Sequence, residues 1–158
     1  MDEQAFRNYL HLLQELCGTL SALTEIEQEK TQTVRGDDLA GLNACMKREQ
    51  ALTLALRGYD QKREAALTAL GLTGVPLSQL AARAPEGCRA EARSTVEELR
   101  LQYSLFRSAA EVSRDTLECN LHQIEGVLQK MEAEGTGSSG YEKEEPQIPP
   151  TLRTDFRA

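Results

Sequence analysis

Tryptophan is absent from this chain, and aromatic residues together make up only 4% of it. A thick globular core is normally built around such side chains, so their scarcity argues against a deeply layered globule. Histidine is nearly as rare, with His11 and His122 alone. Neither follows a Glu-x-x-His pattern, because Asn8 and Cys119 stand three positions before them. That removes the sequence sign of a di-metal carboxylate bundle. The four cysteines, Cys17, Cys45, Cys88 and Cys119, form no Cys-x-x-Cys pair, so neither a zinc site nor a dithiol redox motif is indicated. Their scatter suits small apolar residues in a reducing compartment. No glycine-rich phosphate loop ends in Gly-Lys-Ser/Thr, and no Gly-x-Ser-x-Gly elbow is present. These absences point away from an enzyme, a cofactor or a metal.

Positive charge is short as well. Lys and Arg number 18 against 25 Asp and Glu, for a net charge of -7. Such a surface repels phosphate backbones, which excludes nucleic acid and anionic membranes as main partners. No run approaches the ~18 consecutive apolar residues of a membrane span. The opening "MDEQAFRNYL" carries acids where a secretory leader needs positive charge. The expected location is therefore the cytoplasm, with no membrane insertion.

What the chain does have is Ala, Leu, Glu, Arg and Gln in helical order, the composition of long helices and coiled coils. Its 158 residues make one small domain or one elongated helical unit. A first helix is expected over about Glu3 to Arg35, with Phe6, Leu10, Leu13, Leu16, Leu20 and Leu23 on one face. Beyond Leu23 that face turns polar through "EIEQEKTQT". The "RGDDL" that follows predicts a turn. Gly36 can adopt the left-handed conformation, and Asp37 or Asp38 can cap the next helix. A second helix is expected from Leu39 to Leu70, its seam passing through Leu42, Cys45 or Met46, Leu52, Leu56 and Tyr59. Glu49 and Arg63 interrupt that seam, and such residues can set register.

Between Gly71 and Gly87 come Gly74, Pro76 and Pro85. This spacing predicts a loop, a short helix over Pro76–Ala84 started by its proline, and then the longest helix. From Glu86 to Glu134, the seam Val96, Leu99, Tyr103, Phe106, Ala110, Ser113, Leu117, Asn120, Ile124, Val127 and Met131 steps three and four without a slip. Leu121 and Leu128 widen it. Such a helix would be about 73 Å long. A compact monomer of this size has a radius of gyration of roughly 15 Å. The expected fold is thus all-α: an elongated antiparallel helical bundle or coiled coil with three long helices and one short connecting helix. Residues 1–134 would form the helical domain. Residues 135–158, rich in Gly, Ser, Pro and charge, would form a flexible C-terminal tail.

Two readings of the long stripe stand together. One is internal core. The other is a groove for a partner helix at the far end of the last helix, at Leu117, Leu121, Ile124, Leu128 and Met131, which extends past what the two shorter helices can cover.

Three stretches in order resemble the FlgN family of flagellar export chaperones. They are "VRGDDLAGLNACMKREQAL", "KREAALTALGL" with its proline-started helix, and the long last helix followed by a Gly-rich break, Tyr141, prolines and a terminal "DFRA". Family members often carry two asparagines three apart in the last helix; here that pair is Asn120 and Gln123. The resemblance implies a cytoplasmic chaperone of type III protein export in flagellum biogenesis. Such a protein binds the hook-filament junction (hook-associated) proteins FlgK and FlgL, stops their premature assembly, and brings them to the export gate. It consumes no nucleotide, and it makes Tyr141 the candidate for export-gate docking. Two alternatives remain open: a generic scaffold that is a coiled-coil homodimer, or a chaperone or regulator of another secretion system.

Overall fold

A computed structural model describes residues 1–135 of the chain. The proposed tail, with Tyr141, lies outside the described residues. Four α-helices follow in order: α1 (Glu3–Arg35), α2 (Leu39–Ala69), α3 (Leu77–Arg83) and α4 (Arg89–Ala133). Among the described residues there is no strand. The three long helices and the short connector stand where the spacing placed them.

Local chemistry sets the ends. The Asp2 carboxylate accepts from the Gln4 N–H at 3.0 Å and caps α1. Asp38 caps α2 by accepting from the Gly41 N–H at 2.9 Å, satisfying a donor that the helix cannot. One detail differs from expectation. Gly36 keeps an ordinary φ of -89°, and the left-handed residue is Asp37, at φ 52°. Aspartate tolerates that region because its short polar side chain can bond locally. Gly71 and Gly74 do take positive φ, at 70° and 78°. They let the chain leave α2 and approach α3. Pro76 caps α3 rather than opening it, and Pro85 halts α3. A single 3-10 turn, Glu86–Cys88, then leads into α4.

The long helices are arranged around α1. Lys30 meets Glu49 at 2.9 Å near one end of the α1–α2 pair, and the Arg63 guanidinium, held by Asp60 at 3.0 Å, lies beside the Tyr9 hydroxyl near the other. These two helices are therefore antiparallel. Gly87 sits against the Glu3 carboxylate, while the Ser113 hydroxyl lies beside the Glu27 carboxyl. So α4 runs parallel to α1 and antiparallel to α2. The Cα atoms of α2 and α4 nowhere come within 8 Å of one another, which makes α1 the middle member.

That position explains its burial. Phe6, Tyr9, Leu10, Leu13, Leu16, Leu20 and Leu23 are all buried. So are Ile26, Glu27, Thr31 and Val34: beyond Leu23 the face turns partly polar and stays buried. By contrast α2 buries only Cys45, Leu56 and Leu67. Leu39 and Met46, placed in its seam by spacing, are exposed. The core is completed by Leu72 and Leu80 below, and by Ala92, Val96, Leu99 and Phe106 of α4.

Above the apolar core lies a polar layer that joins all three long helices. Glu27 is 3% exposed. Lys30 lies 3.4 Å from Glu27 and 2.9 Å from Glu49. Burial, and then the hydrogen bond to Glu49, push the Glu27 carboxyl up to about 7. In its protonated form Glu27 can donate to Glu49 while accepting from Ser113. Of the polar interruptions of the α2 seam, Glu49 finds its partner on α1 in Lys30, which is how a buried polar group can set register, while Arg63 pairs with Asp60 of its own helix.

Candidate functional site

The length of α4 creates the site. At 45 residues it is 12 longer than α1, and it starts at nearly the same level, since Gly87 adjoins Glu3. Ser113 stands opposite Glu27, so Arg35, the last residue of α1, stands opposite about position 121. From there to Ala133, α4 extends roughly 18 Å with no neighbouring helix of the bundle.

The spacing that carries Val96, Leu99, Phe106 and Ser113 against α1 continues through Leu117, Leu121, Ile124, Leu128 and Met131. Ser113 is the last buried side chain of α4. Leu117 is half-buried at the rim of the bundle. Leu121 and Leu128 are 52% and 54% exposed, and Ile124 and Met131 are close to half exposed. The structure brings these five onto one helical face, with Leu121, Ile124 and Leu128 about half exposed. Val127, which also lies in the seam, is exposed beside them and widens the face. It belongs with the candidate residues, and the unbroken three-and-four spacing would have located it. Asn120 is half-buried and Gln123 is exposed.

A row of open aliphatic side chains along an otherwise polar helix is unfavourable in water and marks a surface that another apolar element can cover. The arrangement can grip an amphipathic helix; it holds no converging polar groups for bond chemistry. Of the cysteines, Cys17, Cys45 and Cys88 are buried and Cys119 is exposed. Burial, then the nearby Glu98 charge, push the Cys17 thiol up to about 11, so it stays a packing residue. Among the described residues no cluster of three metal-ligating side chains occurs, and no helix is long and apolar enough to cross a membrane.

Glu27 and Ser113 were not legible as a pair. They lie on helices one and four, and nothing in either local sequence marks the other. The faint signal was a serine inside an otherwise apolar seam.

Compared with known protein families, residues 1–145 match the family described as FlgN protein. No curated protein and no solved structure matches the chain.

Proposed function

Since this chain belongs to the FlgN family, whose role is that of a flagellar export chaperone, we propose that it holds the helical ends of hook-filament junction proteins of the FlgK and FlgL kind against the overhanging face of α4. The observation that carries this reading is the exposed stripe Leu121, Ile124, Val127 and Leu128 beyond the reach of α1. A client helix lays its apolar side along that stripe. Burial of each leucine contributes about 1.5–3 kcal/mol, offset by the cost of ordering a disordered client segment. The balance gives firm capture with ready release, as delivery to an export gate needs. While the stripe is covered, the client's own assembly surface is blocked.

The test is Leu121→Asp with Leu128→Asp. Both side chains stand in water, so the melting temperature should stay within a few degrees of the parent's. Binding to a hook-associated protein should fall about tenfold or more. Unfolding of the variant would instead assign these residues to a core. A pairing of two copies through the same face is the rival occupant. Sedimentation would reveal it as a parent dimer that the two aspartates dissociate.

Tyr141 supplies the proposed contact with the export gate. It follows the small-residue run "GTGSSG" and precedes "EKEEPQIPP". A large side chain with few rotors to freeze suits brief docking.

A further inference from the structure

A second surface lies at the opposite end of α4. An open groove of about 560 Å³ runs between α3 and α4, lined by Ser78, Ala81 and Ala82 on one side and by Arg89, Arg93 and Arg100 on the other. Val96 forms its buried floor, and Glu97 is its one carboxylate. In a chain with a net charge of -7, this is a local excess of positive charge. The three arginines follow at four and seven positions, so they form one stripe about 16 Å long. Among the described residues no carboxylate lies within 4.0 Å of Arg93 or Arg100. Arg89 is engaged only by the Ala84 carbonyl, at 3.3 Å.

The placement also runs against local helix physics. The first turns of a helix carry positive partial charge and favour acids, yet Arg89 and Arg93 sit in the opening turns of α4. For Arg93, no carboxylate among the described residues returns that cost. A residue that stands against local preference without an ion-pair partner marks a site of use.

We propose that this groove docks an acidic peptide segment of a second protein, at a distance from the client face that leaves both free to be occupied together. Small side chains along α3 let a peptide backbone come close, while the guanidinium forks can take its carboxylates two oxygens at a time. Distance favours a second protein over the chain's own acidic run, Glu142–Glu145: Arg93 lies about 60 Å along α4 from Ala133, and twelve residues fully extended reach at most about 43 Å. Along α4, Val96 and Leu121 are about 37 Å apart, which separates the two surfaces.

The test titrates a fluorescein-labelled hexaglutamate peptide onto the full-length protein and reads anisotropy at low and at moderate salt, with hexaglutamine as control. The groove predicts binding of the glutamate peptide alone, weakened by salt. Arg93→Glu with Arg100→Glu should weaken it at least ~10-fold, and Arg93→Gln with Arg100→Gln should do so by less. Arg57→Glu with Arg114→Glu, the same charge change elsewhere, should leave it within about twofold. Leu121→Asp with Leu128→Asp should leave it unchanged. Absence of binding, or equal loss in the Arg57/Arg114 variant, would overturn the proposal. So would a parent dimer that the Arg93/Arg100 variants dissociate, because the occupant would then be a second copy of this chain.

Discussion

The buried carboxyl of Glu27 should make the stability of this bundle fall as pH rises through the neutral range. Its folded pKa is about 7, raised by burial and then by the hydrogen bond to Glu49. In the unfolded chain it returns to about 4.3. Between those values the folded state holds a proton that the unfolded state has lost, so stability declines with pH. The contribution is fully present below about pH 4.3 and is lost as pH rises through about 7. A shift of about 2.5 pH units corresponds to about 3 kcal/mol. The groups facing Glu27 are Lys30 from α1, Glu49 from α2 and Ser113 from α4. Only Lys30 opposes the loss, and it is shared with Glu49 at 2.9 Å. Replacing Glu27 by Gln keeps a donor for Glu49 and an acceptor for Ser113 while removing the titration. Urea unfolding of parent and Glu27→Gln should be followed from pH 4.5 to 8. The parent's stability relative to the variant should decline by about 3 kcal/mol between about pH 4.5 and 7 and level off above that. A constant difference would mean that Glu27 titrates as it does in water, and that the polar layer is wet and open.

Three further outcomes are expected. Tyr141→Ala should leave helix content and client binding unchanged while weakening the contact of the chaperone–client complex with the cytoplasmic part of the export gate, read by titration calorimetry; equal affinity would remove Tyr141 from that role. Asp38→Ala, which deletes the cap on α2, should cost about 0.5–2 kcal/mol in chemical unfolding, and a neutral result would show that water caps the helix as well. Leu16→Ala, in the fully buried face of α1, should cost about 2–5 kcal/mol, whereas a loss below 1 kcal/mol would place Leu16 outside a packed core.

The helices were readable because their signals are local. Phe6 to Leu23 repeat every three or four residues, Asp38 precedes a helix start, and Pro76 and Pro85 bracket α3. The layer around Glu27 was not readable, because its members lie far apart in sequence and a glutamate looks the same by letter whether solvated or buried. The same limit explains Ile26 and Val34. They sit among Glu, Gln and Lys, and only the packing of α1 between two partners turns their side inward. In α2 the ambiguity of Cys45 and Met46 was settled by Glu29, whose carboxylate lies 3.6 Å from the Cys45 Sγ and so places that face against α1. The overhang was foreseeable from lengths alone, since α4 outlasts its neighbours. Its level, near position 121, needed the Glu27–Ser113 contact.

The central place of α1 governs the order in which this molecule can assemble. Its pairing with α2 closes across a turn of three residues, 36–38. Its pairing with α4 must bring together residues such as Glu27 and Ser113 from opposite halves of the chain, a closure with a larger entropic cost. As the polypeptide leaves the ribosome, an α1–α2 hairpin can form while the other flank of α1, with much of the core on it, still waits for α4. Until then the half-built hairpin is a sticky intermediate, and α4 is its last-arriving cover. Amide hydrogen exchange should carry the imprint of that history: slowest along the middle of α1, faster along α2, and fastest in the final turns of α4, which α1 no longer flanks.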